Sequence, residues 1–348
     1  MIKRLLGGAA LAAITLSACA SSTYNAQPAD VFAAGLGQSD VRSLMGDTNW
    51  WEGPPSFGVL PLDAATADLS ERFSVTNAFI HLGSDEQLVV RYTVYDKASS
   101  ATAQMTALKN RFSTSATSPK AGDDVLYTGI VSTGAAPFVF RTFVRVSQII
   151  ATIVWTHKDL GVTTKQLARN AVKVADGLKK MIAAKAHATP IAVDKMFLPP
   201  PGLDITFLGA TQLPIEAWAV MRHAASPGPV IDLIHTEGVT DFAYGDYALN
   251  NDTHMEVRTA LLNFPTTAAA AEWASAFAPG TPDSNGIAGE YLPVGGTPAA
   301  GEYHYLFISG HYGAYLICKA SLDGEAASRE CEAPMGRTAL SWKLALQG

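Results

Sequence analysis

Two stretches of the chain place a strand pattern before a helix pattern. Apart from Arg91, residues 90–94 are β-branched or aromatic. After a Ser-rich bend the apolar residues recur at helical spacing as Ala101, Met105, Leu108 and Phe112. Residues 257–261 likewise predict a strand, which is followed by an Ala-rich helix that ends near Phe277. The same order and similar lengths indicate an internal repeat.

A second pair of segments supports the repeat. Residues 140–157 align with residues 303–320 at a constant offset of 163, and both segments are apolar with a polar break. The offset places Ser147 and Gln148 against Gly310 and His311, so each copy predicts a β-hairpin with its turn at the same position. In the first arm the predicted buried face carries four apolar residues, Phe138, Phe140, Val144 and Val146.

Each copy is followed by a predicted helix. Thr163 and Thr164 can cap the first, whose apolar stripe is Leu167, Ala171, Val174, Leu178 and Ile182. The second runs through Cys331, Met335, Leu340 and Leu344, and the pattern predicts an interruption at Pro334 and Gly336. The sequence therefore predicts an α+β fold of two similar units, each an antiparallel sheet with helices packed on one face. The units span 31–188 and 205–348, joined by a Pro-rich linker at 189–204.

The first residues have the layout of an export signal. Lys3 and Arg4 precede an apolar run over 5–16, which is too short to span a bilayer. The run ends in Leu16, Ser17, Ala18 and Cys19, a quartet that resembles the lipobox of bacterial lipoproteins. The resemblance implies that residues 1–18 are removed and that Cys19 carries a diacylglyceryl thioether and an N-acyl chain such as palmitate.

The lipobox also implies an address. Several acyl chains anchor a protein stably without a transmembrane helix, and Ala20 after the cysteine favours an outer-membrane location facing the periplasm. Residues 19–30 are small and polar with one Pro, which predicts a flexible tether. The expected partner is thus the membrane, through the lipid on Cys19.

Composition limits the remaining function classes. Loss of Lys3 and Arg4 lowers the formal net charge from −6 to −8, and an acidic body without a basic cluster does not favour nucleic acid as a partner. The hydrophobic fraction of 48 % allows a sizeable core.

Two cysteines remain once Cys19 is assigned to the lipid. Cys318 and Cys331 lie 13 residues apart, and in an oxidising compartment we expect them to form a disulfide. A thiol metal site is the alternative, but CxxC spacing and paired histidines are missing.

Metal and nucleophile chemistry receive little support. Six of the eight histidines lie in the C-terminal half, where Glu237 or Asp241 could complete a metal site: His187, His223, His235, His254, His304 and His311. None has HExxH or i,i+4 spacing, so scattered histidines are the preferred interpretation. GxSxG, SxxK and phosphate-binding glycine motifs are also missing, and we expect no metal and no cofactor.

Exposed aromatic residues are the remaining candidates for a binding surface. Trp50 and Trp51 are adjacent, so on extended backbone they cannot both face the core. Tyr303, Tyr305 and Tyr312 cluster around the second hairpin. Core packing is the ordinary role of such residues, and contact with a glycan, peptide or partner protein is the functional one.

The order of elements, with a closing helix QLARNAVKVADGLKK, loosely resembles the extracellular sensor domains of mycobacterial serine/threonine kinases and related lipoproteins. The resemblance covers about half of each unit and implies ligand binding in a groove. No binding residue carries over, and the second disulfide common in those domains has no counterpart here.

Two functions follow from these observations. The favoured hypothesis is a lipid-anchored envelope protein of non-catalytic binding or scaffolding type, with an envelope protein or a glycan as its ligand. The alternative is a periplasmic hydrolase whose site lies between the two units, where carboxylates or histidines gather in space.

Overall fold

The computed structural model describes residues 24–58, 70–84, 86–112, 115–130, 137–189, 193–202, 204–222, 227–250, 252–294, 297–319 and 324–348. The predicted signal at 1–18 and the predicted lipobox residues Leu16, Ser17, Ala18 and Cys19 lie outside this part of the chain. The described elements form an α+β fold with two antiparallel sheets, which confirms the predicted class. No helix in the described ranges is both long and apolar enough to cross a membrane.

The first unit contains four helices and seven strands in its described residues. Its sheet has the strand order β1-β3-β4-β7-β6-β5, and β2 also pairs with β3. The elements are α1 (Pro28–Ala34), α2 (Gln38–Met45), β1 (Trp50–Glu52), β2 (Ser56–Phe57), β3 (Glu71–His81), β4 (Gln87–Tyr95), α3 (Ala98–Arg111), β5 (Asp124–Ile130), β6 (Phe138–Val146), β7 (Ile149–His157) and α4 (Thr164–Ala184).

The second unit follows a 3-10 turn at Val193–Met196 and has the strand order β11-β12-β13-β10-β9-β8. Its elements are β8 (Ile205–Pro214), α5 (Ile215–Met221), α6 (Pro227–Thr236), β9 (Asp241–Leu249), β10 (Asp252–Asn263), α7 (Thr267–Phe277), β11 (Ile287–Val294), β12 (Thr297–Ser309), β13 (Tyr312–Lys319) and α8 (Gly324–Ala345).

The two sheets repeat one topology. The order β3-β4-β7-β6-β5 in the first corresponds to β9-β10-β13-β12-β11 in the second, with α3 matching α7 and α4 matching α8. The hairpin turns also match, because Ser147 and Gly310 both have positive φ angles, of 53° and 59°. Each turn joins strands that pair directly on either side of it. The two predicted hairpins are therefore present with the turns where the offset placed them.

Helices lie on both faces of each sheet, whereas the sequence predicted one face. Val144 belongs to the core under α4, and its neighbour Phe143 belongs to a separate core with Met105 of α3. In the second unit Phe307 packs on the α8 side and Leu306 on the α7 side. Adjacent residues of a strand point to opposite faces, so strands that are apolar on both sides need cover on both sides.

The predicted disulfide is present: Cys318 of β13 is bonded to Cys331 of α8. Helix α8 continues through Pro334 and Gly336, where an interruption was predicted. The buried side of α8 also differs from the predicted stripe, because Ala339 and Trp342 are buried while Leu344 is exposed. Packing against β12 together with the covalent link to β13 offsets the helix hydrogen bond that Pro334 cannot donate.

A short segment of the first unit, residues 53–58, connects the two sheets. The Tyr244 hydroxyl donates to the Pro55 carbonyl oxygen at 2.6 Å, and the Phe57 amide donates to the buried carboxylate of Asp246. Phe57 also lies against Gly209 of β8, where a Cβ atom would meet the Phe57 ring at 2.4 Å. These contacts fix α1, which packs on Phe57 through Phe32, beside β8 of the second unit.

Candidate binding groove

The N-terminal end of the described chain is packed, although the sequence predicted a flexible tether over 19–30. Tyr24 and Ala26 are buried. The Tyr24 hydroxyl donates to the Ala186 carbonyl oxygen at 2.9 Å, and Gln148 of the first hairpin turn donates to the Tyr24 carbonyl oxygen. These polar partners come from distant parts of the chain, which is why the local composition did not predict them. Residues 24–30 therefore belong to the folded first unit.

Helix α1 begins at a proline and is capped by an acid. The backbone nitrogen at the first helical position has no partner within the helix, so Pro28, which lacks an N–H group, fits there. The Asp30 carboxylate accepts a hydrogen bond from the Gln27 amide at 2.9 Å. Asp30 is only 3 % exposed, and it also accepts from the Ala188 amide at 2.6 Å and contacts Nδ1 of His187 at 2.8 Å. Burial alone would raise the pKa of Asp30, but these hydrogen bonds outweigh it and hold the pKa below its usual range. Asp30 thus ties α1 to the chain that leaves α4.

The contact between α1 and α4 depends on a glycine. A Cβ atom on Gly177 would lie 2.2 Å from the Ala34 carbonyl oxygen, so only glycine allows the two backbones to approach this closely. Glycine inside a helix is unfavourable on its own. The close approach of α1 and α4 is therefore the structural reason for the presence of Gly177.

A groove of about 630 Å³ opens along this contact. Its volume lies within the range of small-molecule sites. Its floor is made of small and apolar residues, and its rim is charged; the lining comprises Asp30, Ala33, Ala34, Gly35, Asp40, Lys173, Asp176, Gly177, Lys180, Met181, Ala184, Ala186, His187 and Ala188. Because Asp30 is held by His187 and Asp40 pairs with Lys173 at 2.7 Å, these carboxylates are already engaged. The side chains of Asp176 and Lys180 are exposed and form no hydrogen bond or ion pair with another described residue.

An apolar cleft of about 200 Å³ adjoins the groove and shares Ala33 and Ala188 with it. It lies between α1 and β8, which belong to different units. Its lining contains no titratable side chain among the described residues: Gln27, Pro28, Ala29, Phe32, Ala33, Phe57, Ala188, Thr189, Phe207, Leu208, Gly209, Ala210 and Thr211. Together the two cavities present charged groups at one end and an apolar surface at the other.

A third cavity, of about 300 Å³, is polar and lies at the other end of the first unit. His81 on its wall contacts Asp47 through Nε2 at 2.9 Å and Ser84 through Nδ1 at 2.8 Å. Ser84 itself does not line the cavity, and its hydroxyl oxygen accepts from the Glu86 amide at 3.3 Å. The Ser84 hydroxyl is therefore part of the turn after β3 and lies outside the lining of this cavity.

Charged side chains also gather where the two units meet. Arg258 of β10 pairs with Glu256 at 2.8 Å and lies across from the fully buried Asp246 of β9. Burial, reinforced by the negative charge of Glu256, raises the pKa of Asp246 well above its usual range. These groups are enclosed by the segment that carries Phe57, so they bind the units together and do not face a described cavity.

The aromatic candidates occupy three separate places. Trp50 is buried, and its ring meets the edge of His81 at 5.5 Å, whereas Trp51 is partly exposed under Arg42 at 4.3 Å. Tyr305 is buried and donates to the Glu332 carbonyl oxygen at 2.8 Å, with Tyr303 stacked on it. Tyr312 lies beside Phe197 at 6.0 Å. No shared aromatic surface forms from these residues.

The histidines that the sequence singled out are also dispersed. His304 is buried and contacts the Tyr315 hydroxyl at 2.7 Å, and His235 lies 3.7 Å from Glu216. The His311 ring lies tilted against Tyr312 at 4.3 Å, and His187 belongs to the groove. His223 lies outside the described residues, and the His254 side chain is not described. Within the described ranges no three His, Cys, Asp or Glu residues gather as around a metal ion.

The groove residues were missed because the sequence reasoning treated residues before 31 as a tether. One signal was available: Pro28 followed by Asp30 is a typical helix start. The pairing of Asp30 with His187 spans 157 positions and has no local signature.

Replacing Gly177 with Ala tests the contact beneath the groove. Removing a helical glycine ordinarily stabilises by up to about 1 kcal/mol, but here the added methyl group meets the Ala34 carbonyl oxygen. We expect a loss of about 1–3 kcal/mol in the free energy of unfolding, measured by urea denaturation.

Gly336→Ala in α8 is the matched control, because its Cβ atom would meet only the Tyr305 hydroxyl at 3.6 Å. This control should leave stability unchanged or raise it. Equal stabilisation by both substitutions would contradict the close approach of α1 and α4.

No protein-family model matches the chain, and no curated protein matches it. Among solved structures, the extracellular domain of PknH from Mycobacterium tuberculosis is similar, with 14 % identity and a TM-score of 0.34 over 44 % of this chain and 97 % of that one. The match agrees with the loose resemblance to kinase sensor domains, and at this TM-score it carries no argument about function.

Proposed function

We propose that the protein is a ligand-binding protein of the cell envelope, held at a membrane by a lipid on Cys19, and that the ligand occupies the groove between α1 and α4. The observation that carries the proposal is the groove itself, a cavity of about 630 Å³ along the close contact between α1 and α4. Asp176 and Lys180 stand at its rim with no partner among the residues that the structure describes. Uncommitted charges beside a preformed cavity are the usual means of orienting a ligand.

The hydrolase alternative receives less support. The cleft between the units offers no acid, base or thiolate in its described lining. The titratable groups that do meet at the junction, around Asp246, are buried and engaged with one another or with the Phe57 amide. Binding therefore remains the function that the geometry favours.

Ala33→Trp is the test of this proposal. Ala33 is exposed and lines both cavities, so an indole there should fill the space where they meet without disturbing the core. We expect native mass spectrometry of the lipidated protein, released from envelope membranes, to show a bound species on the wild type. The variant should lose at least nine-tenths of that species, a change of about 1.4 kcal/mol or more.

Ala107→Trp, at an exposed position of α3 away from both cavities, is the control and should keep the bound species. A wild-type protein free of any bound species, or an equal amount on the Ala33 variant, would overturn the proposal.

A further inference from the structure

We infer, resting on the proposed function, that the ligand is a zwitterionic amphiphile taken from the adjacent membrane. Its ammonium group meets Asp176 and its anionic group meets Lys180. Its acyl chain passes Ala33 and enters the apolar cleft between α1 and β8.

The head-group assignment comes from the rim of the groove. Asp176 and Lys180 are four residues apart on α4, so they lie on the same side of the helix about 5–6 Å apart at their Cβ atoms. They carry opposite charges, and neither has a partner among the described residues. The neighbouring polar side chains are engaged, because Lys173 pairs with Asp40 and the His187 ring contacts Asp30. A ligand that brings one positive and one negative group matches this pair, whereas a ligand of single charge leaves one of the two unmatched.

The acyl-chain assignment comes from the cleft. It continues directly from the groove, since Ala33 and Ala188 line both. Beyond Ala33 the walls are formed by Phe32, Phe57 and Leu208, with no charged side chain in the described lining. A fully polar ligand would leave this surface uncovered, and a hydrocarbon chain covers it.

The source of the ligand follows from the length of the tether. Tyr24 is fixed at the groove, where its hydroxyl bonds to Ala186 and its ring stacks on His187 at 5.5 Å. Tyr24 lies five positions after Cys19, a distance of at most about 18 Å for a fully extended chain. A lipid on Cys19 therefore holds the groove within reach of the bilayer surface, where amphiphiles are concentrated.

The test is a titration of the mature chain, residues 19–348, carrying Cys19→Ser so that its own acyl groups do not compete. Short-chain lysophosphatidylethanolamine, kept below its micelle concentration, is the probe, and calorimetry gives the Kd. We expect saturable binding that Asp176→Asn and Lys180→Gln each weaken at least fivefold. Lys179→Gln, an exposed lysine beside Lys180 that does not line the groove, should change the Kd by less than twofold.

Single-charge probes separate the two roles. Asp176→Asn should weaken octylamine binding, whereas Lys180→Gln should leave it unchanged. Lys180→Gln should weaken octanoate binding, whereas Asp176→Asn should leave it unchanged. Equal Kd values for the wild type and both charge variants would overturn the head-group assignment. If the probe fails to bind while envelope-derived protein still carries a species that Ala33→Trp removes, the ligand class is wrong and the proposed function stands. A bound species with the mass of a peptide would likewise overturn the ligand class alone.

Discussion

Replacing Arg258 with Met is expected to lower the free energy of unfolding by about 3–5 kcal/mol, the cost of leaving a buried ion pair without one partner. Arg258 is 20 % exposed and Glu256 only 5 %, with 2.8 Å between Nη2 and Oε2. Asp246 lies across from Arg258 in the neighbouring strand and is fully buried. Without the guanidinium group, the negative charge of Glu256 has no cation at this distance, and the result can be read from urea denaturation.

Arg337→Met is the matched control. Arg337 also forms an ion pair, with Asp204 at 2.6 Å, but its side chain is 60 % exposed. Exposed pairs contribute about 0–1 kcal/mol, so the loss should be correspondingly small. Similar losses of unfolding free energy for the two variants would show that burial does not set the contribution of the Arg258 ion pair to stability. That result would contradict the enclosed junction between the units.

Removing the disulfide is expected to cost about 3 kcal/mol. The bond between Cys318 and Cys331 closes a loop of 13 residues, and the chain-entropy relation gives this value for a loop of about that length. The effect should appear as a lower urea midpoint for the Cys318→Ala, Cys331→Ala double variant. The loss of stability should be confined to the second unit, because both cysteines belong to its core.

Reduction provides the control for this prediction. A reductant should lower the midpoint of the wild type toward that of the double variant and leave the variant itself unchanged. A wild-type midpoint that does not respond to complete reduction would contradict a stabilising role for the bond.

The elements that could be predicted from sequence are those with a periodic local pattern. The hairpins around Ser147 and Gly310 follow from strand alternation and a shared offset, and the Thr163 cap is present with its hydrogen bond to the Gln166 amide. The face on which a helix packs has no such local signal. Met105 shows that α3 is amphipathic, yet only the structure shows that it lies opposite α4.

The groove forms where the repeat breaks down, which explains why the sequence did not predict it. In the first unit α1 precedes the sheet and packs beside α4. In the second unit the helices that precede β9, the counterpart of β3, are α5 and α6, and they pack on the α7 side instead. Helix α8 thus has no described counterpart of α1 beside it. Aligning the sequences of the two copies detects only the features that they share. It therefore does not detect Asp30, Gly177 or their contacts.

The most direct test of ligand binding between α1 and α4 is hydrogen–deuterium exchange with and without lysophosphatidylethanolamine, because it shows which residues the ligand protects. We expect slower exchange in α1 and in residues 177–188, which form the two sides of the groove, with the same segments unaffected in Ala33→Trp. Protection confined to residues 81–86 and 155–159 around the polar cavity, or spread evenly over both units, would contradict binding between α1 and α4.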